Sequence, residues 1–388
     1  MKDKKALTED IQMLYVKAEQ GDADAQCNLG VCYTEGKDIA KSKKDAKKWF
    51  TLAAKQGHAK AQYELGDILF TSGCDICGIN YEGAVKWYTM AANQNYAPAQ
   101  NILGSCYFRG IGVEQNYQEA IKWYTLAAKQ GNPNAQFFLG LMCYEGKGFT
   151  QSYQKAVKWY TLAANQGQQQ AQYELGTIYY DGKGVTQSYQ KAVKWYTLAA
   201  NQGHKIAQDR LGIMYYDGKG VNQNYKEAVK YYEMAAKNGF APAWCNLGIC
   251  YEKGHGVTQN YNKALKFYTK MDTMDNAGAD YNLGNMYFYG HGVAQSYSEA
   301  LKCYTCAVNK WQNAQIEYAL GKMYPYGLSY ATNRGQYAQA QYALGNMYLN
   351  GLGVEKDIKK AKELFEKAAK QDNEDAIKAL KILGLKNF

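Results

Sequence analysis

Apolar and small residues along the chain follow a helical stripe that restarts at regular intervals. In Ala171 to Gly182, AQYELGTIYYDG, they fall at Ala171, Leu175, Ile178 and Tyr179, the i, i+4, i+7, i+8 spacing of one helix face. Gly182-Lys183-Gly184-Val185 interrupts the stripe, with glycine where the chain leaves a helix through positive φ. A second stripe runs from Ser188 to Gln202, with Ala192, Trp195, Tyr196 and Ala199 on its buried face. Ser188 stands as its N-cap and Gly203 as its stop. The unit is helix–turn–helix.

That unit recurs. Leu-Gly returns with its glycine at 30, 66, 104, 140, 176, 212, 248, 284, 321 and 345, most often 36 residues apart. The string TQSYQKAVKWYTLAANQG occurs unchanged at 150–167 and 186–203. Neither helix hides its apolar face alone, so successive pairs must stack into one solenoid. The glycine costs about 1 kcal/mol in helix propensity, a loss offset if a neighbouring element approaches closely there.

The motif AxxxLGxxY, then GxGV, then KAxxWYxxAAxxG resembles the Sel-one-like repeat (SLR) family, a relative of the tetratricopeptide repeat with a longer unit. The resemblance covers nearly the whole chain. It implies an all-α fold: a right-handed α/α superhelix of about ten 36-residue repeats, with the first helices on the concave side and half-repeat caps. Residues 1–20 read as an N-terminal cap helix, 21–312 as eight regular repeats, 339–372 as the last repeat and 373–388 as a C-terminal cap helix. Between them, 313–338 reads as a truncated repeat, a bend or hinge, because the Leu-Gly spacing drops to 24 and Pro325 falls near a helix end.

Composition narrows the function classes. The 388 residues are 47% hydrophobic and 21% charged, a globular balance rather than a disordered one. No apolar run reaches the length of a membrane span, and MKDKKALTEDIQMLYVKAEQGD lacks the apolar core of a secretory signal. The expected location is cytoplasmic, with delivery into a host cell by a signal-independent route left open. The ten cysteines are expected as free thiols. The net charge of +10 comes with only three arginines, and lysine precedes the helix-two aromatic in eight units, from Lys48 to Lys302. Phosphate recognition favours arginine, so this ladder reads first as a solvated face, with nucleic-acid or anionic-membrane contact the lesser reading.

Candidate chemistry is sparse. The GxG turns follow helices and lack the third glycine of a nucleotide fingerprint. Cys74 and Cys77 form a CxxC pair in an insertion, but zinc needs four ligands. His255 and His291 hold the same turn position in successive units. No catalytic constellation stands out, so no enzyme, cofactor or metal is expected. A zinc- or redox-sensitive regulator using Cys74 and Cys77, or an enzyme of unknown type, remains as an alternative.

What is left is the face of the first helices. Counting the motif alanine as one, the tetratricopeptide resemblance puts positions 3, 7, 10 and 11 in the groove, while 1, 5 and 8 form the buried stripe. Position 8 is uniformly apolar, whereas position 7 varies from Val31 and Asp67 to Leu141 and Lys322. Such variation on a repeating scaffold suits a protein–protein interaction adaptor that takes a peptide or helix of a partner protein. The expected centre is Tyr173, Thr177, Tyr180, Asp209, Ile213 and Tyr216, with a second patch at Tyr281, Asn285, Phe288 and Tyr289. Aromatic side chains supply area, rigidity and a polar handle. The resemblance implies roles in signalling complexes, membrane-protein quality control or bacterial interaction with host cells. Of the 37 tyrosines, 22 recur in three columns of the repeat and ten more fall in groove columns.

Overall fold

The computed structural model describes residues 9–71, 80–272, 276–319 and 334–384. The described residues form α-helices and turns, with no strand among them. Two compact units divide the chain, 1–188 and 189–388. The first holds α1 (Glu9–Glu19), α2 (Ala23–Glu35), α3 (Lys43–Lys55), α4 (Ala59–Thr71), α5 (Tyr81–Asn93), α6 (Ala97–Arg109), α7 (Tyr117–Lys129), α8 (Pro133–Glu145), α9 (Tyr153–Asn165) and α10 (Gln169–Asp181). The second holds α11 (Tyr189–Asn201), α12 (Lys205–Asp217), α13 (Tyr225–Lys237), α14 (Pro242–Lys253), α15 (Tyr261–Asp272), α16 (Ala277–Tyr289), α17 (Tyr297–Ala319), α18 (Arg334–Asn350), α19 (Ile358–Ala369) and α20 (Glu374–Ile382).

Within a repeat, the Leu-Gly glycine explains itself. A Cβ on Gly140 would come within 2.6 Å of the Tyr160 ring, and one on Gly104 within 2.7 Å of the Tyr124 ring. Helix one therefore lies directly on the buried aromatic of helix two. Between repeats, the second glycine of the GxG turn does the same work. A Cβ on Gly148 would meet Tyr117 at 2.8 Å, so each turn sits on the first tyrosine of the preceding repeat's second helix.

A buried glutamine at position 2 joins successive repeats. Gln136 donates to the carbonyl of Ala128, at the end of the previous second helix, and accepts from Gln166, at the end of its own. Gln62 and Gln100 repeat the pattern with Ala54 and Gln94, and with Ala92 and Gln130. In the second unit Gln208 bonds to the Ala200 carbonyl and to Asn238. Each amide thus gives a helix-end carbonyl a second donor beside the N–H of the positive-φ residue that follows, as Gln136 does at Ala128 beside Gly131. Repeat 277–310 replaces the pair with a charged one: Asp280 occupies the glutamine position and Lys310 reaches it at 2.9 Å.

The irregular segment has a local cause. Second helices end on a residue with positive φ: Gly131, Gly167, Gly203 and Gly239, with Asn95 and Asp372 standing in where glycine is missing. The equivalent residue after α16 is Trp311. A bulky side chain does not adopt that conformation cheaply, and α17 runs on to Ala319 as a single 23-residue helix. Trp311 is buried instead against Tyr337 and Ala340 of α18. Gly353 lies on Tyr297, as Gly148 lies on Tyr117, so repeat 338–373 docks on repeat 277–310 across the intervening residues. The core of the expected truncated repeat or hinge, 320–333, lies outside the described residues.

Replacing Gln136 with alanine should lower unfolding free energy by about 1–3 kcal/mol, because its bonds to Ala128 and Gln166 are both lost, while the Ala128 carbonyl keeps the Gly131 N–H. Urea denaturation would measure it, with the exposed Gln154→Ala expected to stay within about 0.5 kcal/mol of wild type. His204 offers a pH readout. Its Nδ1 accepts the Ala207 N–H at the start of α12, and burial holds its pKa down at about 4 rather than 6.5. The neutral cap contributes fully above pH 6.5. As pH falls from there to 4 the unfolded chain takes up a proton the folded state refuses, so stability drops. His204→Asn should shrink the melting-temperature decline across that window.

Candidate functional site

The ten expected groove residues lie on three first helices: Tyr173, Thr177 and Tyr180 on α10; Asp209, Ile213 and Tyr216 on α12; Tyr281, Asn285, Phe288 and Tyr289 on α16. They are not equally available. Tyr173 is 2% exposed and Asp209 0%, which corrects both as contact residues. Position 3 turns toward the second helix of its own repeat: Phe137 packs on Tyr160, Tyr63 on Tyr88 and Tyr281 on Tyr304, with ring centroids 5.7–5.9 Å apart. Asp209 accepts a hydrogen bond from Asn246 of the next repeat at 2.8 Å.

Position 7 is half-buried and has an internal duty. Tyr88 donates its hydroxyl to Asp67 at 2.6 Å, Tyr304 donates to Asn285 at 2.7 Å, and Ser105 lies 2.9 Å from the Tyr124 hydroxyl. Where the second helix carries Phe50 instead of tyrosine, position 7 is Val31. Burial pushes the phenols of Tyr88 and Tyr304 far up, and at Tyr88 the Asp67 carboxylate adds to it by disfavouring a phenolate beside it. In repeat 241–271 position 7 is Ile249, and Tyr268 turns to Glu252 at position 10, 2.7 Å away.

Position 10 carries an aromatic in most repeats, and at Tyr216 and Phe288 it is half-buried and leans on the first tyrosine of its own second helix. Tyr216 meets Tyr225 at 5.0 Å and Phe288 meets Tyr297 at 5.3 Å. The turn histidines belong to this layer: His255 stacks on Tyr225 at 4.3 Å with its Nδ1 2.9 Å from the Tyr216 hydroxyl, and His291 stacks on Tyr261 at 4.7 Å.

Position 11 is the column that faces solvent. Glu35, Thr71, Arg109, Glu145 and Asp181 are exposed in the first unit, and Asp217, Lys253, Tyr289 and Asn350 in the second. Tyr289, at 62%, is the most exposed residue of the expected patches. Glu145, Asp181 and Asp217 pair with the lysine of the following turn at 2.8–3.2 Å. The alternation of exposure could have been read from a stripe phased one residue later than position 10.

Among the described residues no group of three His, Cys, Asp or Glu side chains could hold a metal ion. Cys74 and Cys77 lie outside the described residues. Cys27, Cys32, Cys106, Cys143, Cys245 and Cys250 are free thiols, and burial pushes those of Cys27 and Cys106 up to about 11 and those of Cys245 and Cys250 to about 12. Thiols so rarely ionised make poor nucleophiles and poor ligands. No helix of the described residues is long and apolar enough to cross a membrane.

Asn285→Ala should cost about 1–3 kcal/mol by leaving the Tyr304 hydroxyl without its acceptor. Tyr304→Phe in that background should recover much of the loss, a coupling that a double-mutant cycle would register.

Comparison with known proteins follows this geometry closely. The Sel1 repeat family model matches nine segments: 23–58, 59–96, 97–132, 133–168, 169–204, 205–240, 241–271, 277–310 and 338–373. A protective antigen present in uropathogenic Escherichia coli strains, solved with an SLR fold, is 34% identical, with a TM-score of 0.76 over 94% of this chain and 80% of that one. A Sel1 repeat protein from Oxalobacter formigenes is 27% identical, with a TM-score of 0.51 over 97% of this chain and 90% of that one. No curated protein matches the chain.

Proposed function

The chain belongs to the Sel1 repeat family, and on that premise we propose that it is a non-catalytic adaptor that binds a segment of a partner protein along its first helices. The observation that carries this reading is position 11. Its neighbour at position 8 is uniformly apolar and largely buried, while position 11 is exposed in every described repeat and changes from acid to base to aromatic. A scaffold whose interior repeats and whose outer column does not is built to present a sequence of side chains.

The strongest anchor is the α16 patch. Tyr289 projects beside Phe288, 5.0 Å between ring centroids, and stacks near His291 at 5.6 Å. An exposed tyrosine backed by packed aromatics combines rigidity with apolar area. Thr177, Tyr180, Ile213 and Tyr216 contribute at the edges of their own helices. Similarity to a protective antigen of a pathogen favours a partner of host origin.

Affinity capture from host-cell and native-cell extracts, with captured proteins identified by mass spectrometry, tests the adaptor reading. Tyr289→Ala should weaken the captured complex on the order of tenfold or more, with the thermal midpoint unchanged because the side chain is mostly solvent-exposed. Undiminished binding by Tyr289→Ala combined with Lys253→Ala would remove the site.

A further inference from the structure

The backs of the second helices carry a feature that neither the stacking nor the groove uses. The glutamine bonds fix the register between repeats: Gln26, Gln62, Gln100, Gln136 and Gln172 reach the carbonyls of Ala18, Ala54, Ala92, Ala128 and Ala164. Two residues before each of these alanines stand Val16, Leu52, Met90, Leu126 and Leu162. All five are exposed, by 36–53% of their surface. They form a file of apolar side chains, one per helix, along the outer side of the first unit.

Lysines flank the file. Lys48, Lys86, Lys122 and Lys158 stand one turn before the apolar residue on α3, α5, α7 and α9, and all four are exposed. Lys55 and Lys129 stand three residues after it on α3 and α7, also exposed. Lys122 pairs with Glu119 at 3.1 Å. The file also meets acids: Glu82 on α5 and Glu9, Asp10 and Glu19 on α1 are exposed, with Glu19 three residues after Val16, while Asp45 on α3 is hydrogen-bonded to Ser42. The tryptophans of these helices are covered to different extents: Trp49 and Trp123 are buried under their own lysines, whose ammonium groups lie 4.9 and 5.1 Å from the rings, while Trp87 and Trp159 are half-buried.

From this array we propose that the outer face of the first unit docks on a membrane surface rich in anionic lipid. The two rows divide the work. Lysine ammonium groups meet headgroup phosphates, and the leucine, methionine and valine side chains between them enter the interfacial layer, where apolar area and basic charge add. Protein interfaces select differently. They favour Tyr, Trp and Arg in enclosed positions and deplete lysine, whereas this face offers aliphatic tips and lysine on open helix backs. The solvated-ladder reading accounts for the lysines alone and leaves the exposed apolar file without a role.

Cosedimentation of the full chain with vesicles tests the assignment, using phosphatidylcholine alone and phosphatidylcholine mixed with phosphatidylglycerol. The chain is expected to bind the mixed vesicles, bind the neutral ones far less, and release as salt is raised. Leu52→Ser, Met90→Ser, Leu126→Ser and Leu162→Ser together should reduce binding on the order of tenfold or more. Ile358→Ser with Ile382→Ser, exposed apolar residues elsewhere, should leave it unchanged. Helical circular dichroism and the thermal midpoint report whether each variant is folded, and Lys48→Gln, Lys86→Gln and Lys158→Gln together supply a second variant that leaves the apolar file in place. Failure to bind phosphatidylglycerol vesicles overturns the proposal. So does binding that survives both variants, or capture of an acidic polypeptide in place of lipid. Loss of vesicle binding with partner capture intact would separate this face from the groove.

Discussion

The position-2 glutamine is the constraint on which the repeat architecture turns. A solenoid buries a helix end at every repeat, and the carbonyl there, already bonded to the N–H of the following positive-φ residue as Ala128 is to Gly131, takes a further donor. Gln62, Gln100 and Gln136 supply it, donating to the preceding helix end while accepting from the amide at their own. One side chain therefore fixes two helices against a third. Its bonds set the register in which Gly140 meets Tyr160 and Gly148 meets Tyr117. The substitution of Asp280 and Lys310 for the amide pair keeps the geometry but exchanges a neutral contact for a buried charge, which is stable only while both partners are present.

Much of this was legible beforehand. The stripe at positions 1, 5 and 8, the stop glycines and the GxG turns follow from helix geometry and from glycine's tolerance of positive φ. The glutamine was not singled out, because a polar residue beside alanine reads as surface, although its recurrence at Gln26, Gln62, Gln100, Gln136, Gln172 and Gln208 was itself a signal. The irregular stretch after α16 was visible as broken spacing. Its cause required comparing Trp311 with the residues that stop other second helices, Gly167 and its stand-ins Asn95 and Asp372.

The shared face of positions 3, 7, 10 and 11 follows from helical spacing, but the exposure of each does not. Helical spacing places 3, 7, 10 and 11 on one side, yet it cannot say how deeply the neighbouring helix covers that side. Position 3 is the most covered, as Tyr173 and Asp209 show. Position 10 is half-covered by aromatic packing such as Tyr216 on Tyr225.

Variation between repeats is consequently a weaker guide to binding than it first looks. Asp67 with Tyr88, Asn285 with Tyr304 and Val31 opposite Phe50 show position 7 answering the residue it faces, although Leu141 shares a repeat with Tyr160 and Asn346 with Phe365. Part of its diversity has an internal reason. Position 11 also follows its turn in part, with Glu145, Asp181 and Asp217 beside lysine and Tyr289 beside His291. The difference is energetic. A buried hydroxyl without a partner costs about 1–3 kcal/mol, whereas an exposed ion pair contributes about 0–1 kcal/mol. Packing therefore constrains position 7 more tightly than position 11. The side chains at liberty to be chosen for a partner are those the fold can lose without consequence, and on the first helices that condition singles out position 11.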